Sequence, residues 1–200
     1  MQSKRQTVIS KKLSYFLRHN LDAIAGPVDL AGYVSIDSLL QMPDFVSTSI
    51  TKEEILQVVE KSDKNRFGLD STRTKIRANQ GHSLKSGALI DETQLLTKIL
   101  VPLDYCVHGT TRKAILQIKE TGLSRMGRTH IHFASKPNAL SGFRSDSSVL
   151  IYIDMAKAMT DGIEFFMSEN GVILSVGVVS QAGVVSPIDP KYFTRIDYLS

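Results

Sequence analysis

Two hundred residues, 42% of them apolar, can bury one large core or two small ones, which excludes a disordered or fibrous chain. The balance of 24 basic against 20 acidic side chains leaves +4, which permits a nucleic-acid partner without demanding one. The single cysteine, Cys106, cannot close an internal disulfide or build a cysteine zinc site, and no apolar run approaches the ~18 residues of a membrane helix. The start from Met1 to Lys12 is polar and basic, without a signal-peptide core. A reduced intracellular protein, cytoplasmic or nuclear, is the expectation.

Ile9, Leu13, Phe16 and Leu17 fall at helical spacing and predict an amphipathic helix over about residues 8–19. It ends in Arg18 and His19, cations suited to a helix C-terminus. Gly26-Pro27 predicts a turn, and Gly32 to Ile36 a short extended piece. Asp37 is a candidate cap for a helix around Leu39 and Leu40. Thr51-Lys52-Glu53-Glu54 is a capping-box pattern opening a helix with Ile55, Val58 and Val59 inside. Phe67 to Ala78 reads as a β-hairpin with a polar tip from Asp70 to Thr74. Between Lys61 and Lys85 seven basic side chains, Arg66 and Arg77 among them, are opposed only by Asp63 and Asp70. Helix, strand, helix, helix, hairpin is the order of a winged helix. Such modules bind nucleic acid, bind protein or act as spacers, and the order alone leaves these open.

Gly81 to Gly87 is polar and predicts a flexible boundary there or just after, giving lobes of residues 1–90 and 91–200. Asp91 is expected to open a short helix with Leu95, Leu96 and Ile99, ended by Pro102. Tyr105 to Val107 predicts a strand, and Thr111 to Glu120 a helix stopped by Gly122. His130-Ile131-His132-Phe133 alternates, which puts both histidines on one face of a strand. Further strands are expected at 149–153, 163–166, 171–179 and 183–186. The class is α+β, with a β-rich second half.

Singly, the polar residues have plain explanations. Arg18 and His19 complement a helix dipole, His108 and His132 fit satisfied strand histidines, and Arg66 fits a basic wing. The chain has no HExxH, no GxSxG, no GxxxxGK[ST] and no Rossmann glycine pattern. Arginines and histidines remain. Arginine matches phosphate oxygens two at a time, so a site built from it is an anion site.

Leu13 to His19, Gly32-Tyr33-Val34, Asn65-Arg66-Phe67, Ile76 to Ser83, His108-Gly109-Thr110, Gly127 to His132, Asp161-Gly162-Ile163 and Asn170 to Leu174 occur in that order. In this the chain resembles the RNA 2′-phosphotransferases, which remove an internal 2′-phosphate from spliced tRNA using NAD⁺. The resemblance runs from Ser10 to Phe193 and implies an N-terminal winged-helix lobe that engages RNA. It also implies a C-terminal ADP-ribosyltransferase-like lobe that holds NAD⁺ as co-substrate. The family's essential set maps onto Arg18, His19, Arg66 and Arg128, groups that hold the RNA 2′-phosphate and the NAD⁺ pyrophosphate. Its nicotinamide-side signature maps onto His108, His132 and Val172, with Gly109 and Thr110 following His108. Arg144 matches an auxiliary phosphate contact. The implied products are 2′-hydroxyl RNA, nicotinamide and ADP-ribose 1″,2″-cyclic phosphate. The partner is 2′-phosphorylated tRNA, and a monomer with no metal and no membrane contact is expected. Two other readings stay open. One is ADP-ribosyl transfer to a nucleic-acid terminal phosphate or a protein; the other is a non-catalytic RNA-binding protein.

Overall fold

The computed structural model describes residues 4–137 and 146–199, and the chain divides into two units, Met1–Leu95 and Leu96–Ser200. All recorded strand pairs are antiparallel, so the class is α+β.

The first unit is built on helix α1, Lys4–His19, which begins four residues earlier than the apolar spacing indicated. The extra turn is polar. Arg5 holds it by bonding Glu54 (2.8 Å) and the carbonyls of Thr48 and Ser49 (2.8 and 3.0 Å). Strand β1, Val34–Ser35, leads into α2, Ile36–Leu40, and α3, Pro43–Val46. The cap of α2 is Ser35, whose hydroxyl accepts from the Ser38 N–H; Asp37 already lies inside the helix. Helix α4, Lys52–Glu60, opens with the full reciprocal Thr51–Glu54 box. Strands β2, Phe67–Leu69, and β3, Lys75–Ala78, form the expected hairpin, and β1 adds to β3 to give the order β1-β3-β2. Ile9, Leu13, Phe16 and Leu17 of α1 meet Ile36, Leu39, Phe45, Ile55 and Ile76 in one core. Each such buried side chain contributes roughly 1.5–3 kcal/mol of apolar transfer.

Gly81 to Gly87 is not a loose linker. Ser83 caps a helical turn, α5, Leu84–Gly87, and the buried Ser86 hydroxyl accepts from the Leu21 N–H. The helix expected from Asp91 is a single 3₁₀ turn, Glu92–Gln94, capped by Asp91. The chain then becomes strand β4, Leu96–Lys98, paired antiparallel with Phe166–Ser168. Leu95, Leu96 and Ile99 suit either period. A free sheet edge decides the outcome, as tertiary context overrides local preference.

In the second unit β5, Val107–Thr110, is followed by α6, Ala114–Thr121, and β6, Ile131–Ala134. Then come β7, Val149–Ile153, α7, Met155–Thr160, β8, Phe166–Ser168, and β9, Val172–Ser175. A small hairpin, β10 at Val178–Val179 and β11 at Val185–Ser186, precedes β12, Phe193–Tyr198. Among the described residues seven strands form one sheet in the order β12-β7-β5-β6-β9-β8-β4. Phe133, Phe165, Ile115, Ile151 and Ile173 are the centre of its core. Helix α7 and strand β12 carry no clear sequence signal. Ala156 to Thr160 carries weak helix signals, and Thr194-Arg195 gives β12 no apolar alternation.

Gly122 ends α6 at φ +84°, and a Cβ there would lie 2.5 Å from the Ile188 carbonyl oxygen. That carbonyl is already engaged by the Leu123 N–H at 2.9 Å. Gly122→Ala is therefore expected to destabilise the fold by about 2 kcal/mol, combining a left-handed alanine with a displaced backbone bridge. Thermal unfolding should show it as a Tm lower by roughly 4–8 °C.

Among the described residues no helix is long and apolar enough to cross a membrane.

Candidate functional site

The first unit brings His19 and Arg66 together at the end of α1. The last turn of that helix leaves carbonyls without intrahelical partners. The Arg18 carbonyl receives both the N–H of Ser83 (2.9 Å) and its hydroxyl (3.3 Å). Gly81, at φ +88°, brings the backbone against the Arg18 side chain, whose Cδ, Nε and Cζ lie 3.6 Å from where a Cβ would stand. The segment after β3 thus fixes the helix end and lines the half-buried Arg18 guanidinium. His19, one residue on, is exposed.

Arg66 sits in the turn between α4 and β2. Asn65 takes φ +40°, a left-handed conformation that asparagine tolerates better than most residues. Asn79, 2% exposed, secures this turn at two points. Its side-chain amide donates to the Asn65 carbonyl (2.9 Å), and its backbone N–H donates to the Arg66 carbonyl (3.0 Å). The Arg66 guanidinium is half-buried. Burial lowers its pKa, partly opposed by Asp63. Burial also lowers Lys64, and the neighbouring Arg66 charge adds to that effect. Two cations are therefore held close together in partial isolation from water, an arrangement that an anion stabilises.

His19 and Arg66 share a groove of about 370 Å³ with Thr7, Ser10, Lys11, Ser14 and Tyr15. None of these lining residues is acidic. Arg18 is not part of this lining; its side chain runs beside Gly81.

The second unit places His108 on β5, His132 on β6 and Val172 on β9, three neighbouring strands. β5 and β6 share the pair Val107↔Ala134. The next contact between them is made by a side chain: His108 Nδ1 lies 2.9 Å from the His132 carbonyl oxygen. A carbonyl only accepts, so Nδ1 carries the proton, and in a neutral ring Nε2 offers its lone pair. The ring also meets Phe133 edge-on at 5.9 Å. Opposed residues share a sheet face, so His132 and Val172, related through Ala134↔Val172, issue from one face. His108, opposite Ile151, issues from the other. Gly109 and Thr110 stand opposite Leu150 and Val149. His130, just before β6, is buried, with Nδ1 2.9 Å from the Thr129 hydroxyl.

Val172 is fully buried. Its N–H donates to the Ser168 hydroxyl (3.1 Å), which donates to Asn170 Oδ1 (2.8 Å). The Ser135 hydroxyl donates to the Gly171 carbonyl (2.6 Å), so the turn before β9 is fixed from two sides. Arg128 is half-buried in the turn before β6, its N–H bonded to the Arg125 carbonyl (3.1 Å). Arg144 lies outside the described residues. Cys106 is buried and its thiol is pushed up by that burial, which removes it as a nucleophile.

The RNA 2′-phosphotransferase family, Tpt1 / KptA, matches this chain over residues 4–177. The chain belongs to that family. A Mus musculus relative named tRNA 2′-phosphotransferase 1 is 44% identical over 200 residues, covering 96% of this chain and 77% of its own. A Nostoc punctiforme relative named probable RNA 2′-phosphotransferase is 38% identical over 199 residues, covering 98% of this chain and all of its own. A Schizosaccharomyces pombe relative named putative tRNA 2′-phosphotransferase is 41% identical over 198 residues. The chain spans half the length of that last protein. Within this 2′-phosphotransferase frame the structure adds Lys64 and Asn79 to the residues of interest. Lys64 was visible as one of a run of cations. Nothing in the spacing of Asn65 and Asn79 signals their contact across the hairpin.

Proposed function

We propose that this protein removes an internal 2′-phosphate from RNA by transferring it to NAD⁺. The products are 2′-hydroxyl RNA, nicotinamide and ADP-ribose 1″,2″-cyclic phosphate, and a tRNA splice junction is the proposed biological substrate. The first unit is read as a winged-helix RNA-binding lobe, and the second as an ADP-ribosyltransferase-like lobe. The observation that carries this reading is the half-buried Arg66, with the charge of Lys64 near it, which shares with His19 a groove whose lining has no acidic residue, in a chain of this family.

A 2′-phosphate and a pyrophosphate repel each other, so a transfer between them needs compensating charge at fixed positions. Arg18 and Arg66 are assigned to the RNA phosphate and Arg128 to the pyrophosphate. Each guanidinium is half-buried, where its charge is less screened than in water. His19 is assigned to the RNA phosphate, where an imidazole can both donate a hydrogen bond and move a proton near neutral pH.

The donors of the second unit suit NAD⁺. His108 presents a ring of fixed orientation, Gly109 adds no side chain between His108 and Thr110, and Thr110 offers a hydroxyl on the same face of β5; His132, whose side chain issues from the other face, contributes the carbonyl that orients the His108 ring. When bound, NAD⁺ supplies an anomeric carbon with nicotinamide as a good leaving group. Transferases that modify proteins often carry a glutamate where Val172 stands. A buried valine cannot activate a protein acceptor, which favours a phosphate that is already a nucleophile.

The test is to mix the protein with NAD⁺ and a short RNA bearing one internal 2′-phosphate, and to separate the products by mass. Free nicotinamide, 2′-hydroxyl RNA and the cyclic phosphate are expected. RNA that keeps an ADP-ribosyl group would replace this reading with simple ADP-ribosyl transfer. Unchanged RNA with intact NAD⁺ would reduce it to RNA binding. Thr110→Ala should raise the KM for NAD⁺ about five-fold, as for one lost neutral hydrogen bond, with the KM for RNA unchanged. Steady-state kinetics with each substrate varied in turn checks this.

A further inference from the structure

We infer that the groove along α1 is a second RNA subsite, which holds a nucleotide next to the one bearing the 2′-phosphate, with Tyr15 stacking on its base. The inference rests on the proposed function and extends the substrate beyond the reacting phosphate.

Lys11, Tyr15 and His19 stand at i, i+4 and i+8, one row along the helix surface, with Ser10 and Ser14 in the adjoining row. The row rises about 12 Å from Lys11 to His19, more than the phosphate site at its end requires. Tyr15 is 54% exposed, although its ring is held edge-on to buried Phe16 at a centroid distance of 5.0 Å. A tyrosine fixed on one side and open on the other is a platform for a base, because every base has a face to stack.

The charge of the helix supports the same occupant. α1 carries Lys4, Arg5, Lys11, Lys12, Arg18 and His19 and no acidic residue. Arg5 is paired with Glu54, and Lys12 lies 4.0 Å from Asp44. Lys11 makes no ion pair among the described residues and lines the groove instead. Cation, hydroxyls, aromatic ring and then the Arg66 anion site form a continuous track, the combination with which single-stranded nucleic acid is held. A ring with one open face, set in a row between a cation and an anion site, matches the alternation of base and phosphate along a nucleic-acid strand more closely than it matches an acidic peptide.

The test compares kcat/KM for a 2′-phosphorylated dinucleotide and a 2′-phosphorylated hexanucleotide, in wild type and in Tyr15→Ala, Tyr15→Phe and Lys11→Ala. Wild type should favour the longer RNA. Tyr15→Ala should cut that preference roughly ten-fold. Tyr15→Phe should restore it, and Lys11→Ala should reduce both the preference and its salt dependence. A length preference unchanged in Tyr15→Ala, or absent from wild type, overturns the subsite while leaving the phosphotransferase reading intact. Equal competition by polyglutamate for hexanucleotide binding, with Tyr15→Ala silent, overturns it in favour of a peptide surface. A wild type that neither binds nor turns over either RNA overturns both readings.

Discussion

Arg66→Lys is expected to lower kcat/KM by two to three orders of magnitude, although the charge is kept. Loss of a single aimed donor to developing charge costs about 10²–10³ in turnover, and a lysine replaces a planar, two-point contact with one movable ammonium. The surroundings of Arg66 sharpen the prediction. Burial already works against the charged form here, with Lys64 close by. A guanidinium stays charged under such pressure, whereas an ammonium can lose its proton. The variant should therefore recover part of its activity at lower pH, where the introduced lysine is charged. A pH series of single-turnover rates, with the Tm as a control for folding, measures this. Near-wild-type turnover would remove Arg66 from the phosphate site.

The features readable in the sequence are those whose cause is local. The Thr51–Glu54 box, the hairpin from Phe67 to Ala78 and the stop at Gly122 each depend on residues within one turn or one strand pair, and each stands as read. The apolar row of α1 was legible for the same reason, while its first turn depends on Arg5 reaching Glu54, 49 residues away. β4 is a strand where the pattern predicts a helix, because Leu95, Leu96 and Ile99 satisfy both periods and its partner β8 lies about seventy residues downstream. The residues proposed for the phosphates, Arg18, His19, Arg66 and Arg128, are named by the resemblance of the sequence to its family. What could not be named is the support behind them: the Ser83 bonds to the Arg18 carbonyl, and the contact that the Asn79 side chain makes with Asn65. Those are bonds to backbone carbonyls of distant segments, and no residue pattern encodes them. The side-chain contact of His108 with the His132 carbonyl is of the same kind.

Asn79→Ala follows from that hidden support, and should lower kcat/KM for RNA roughly 100-fold without touching any phosphate contact directly. Asn79 is nearly inaccessible, and its amide closes a turn that contains a left-handed Asn65. Removing the amide leaves the Asn65 carbonyl without that donor, at a cost of about 1–3 kcal/mol. The turn can then relax toward ordinary dihedrals. Arg66 is the next residue, so any rotation at Asn65 is carried directly into the position of its guanidinium. A displacement of about 1 Å at an aligned group is enough for a 100-fold loss. Three measurements separate this positioning effect from general unfolding. The Tm should fall by no more than several degrees, the affinity for NAD⁺ should hold, and the KM for RNA and kcat should both worsen. Asn79→Asp should not rescue, because a carboxylate accepts where the Asn65 carbonyl needs a donor, and it would bring a negative charge toward the phosphate site. Loss of NAD⁺ affinity in step with RNA would show that Asn79 supports the fold at large and does not act through Arg66.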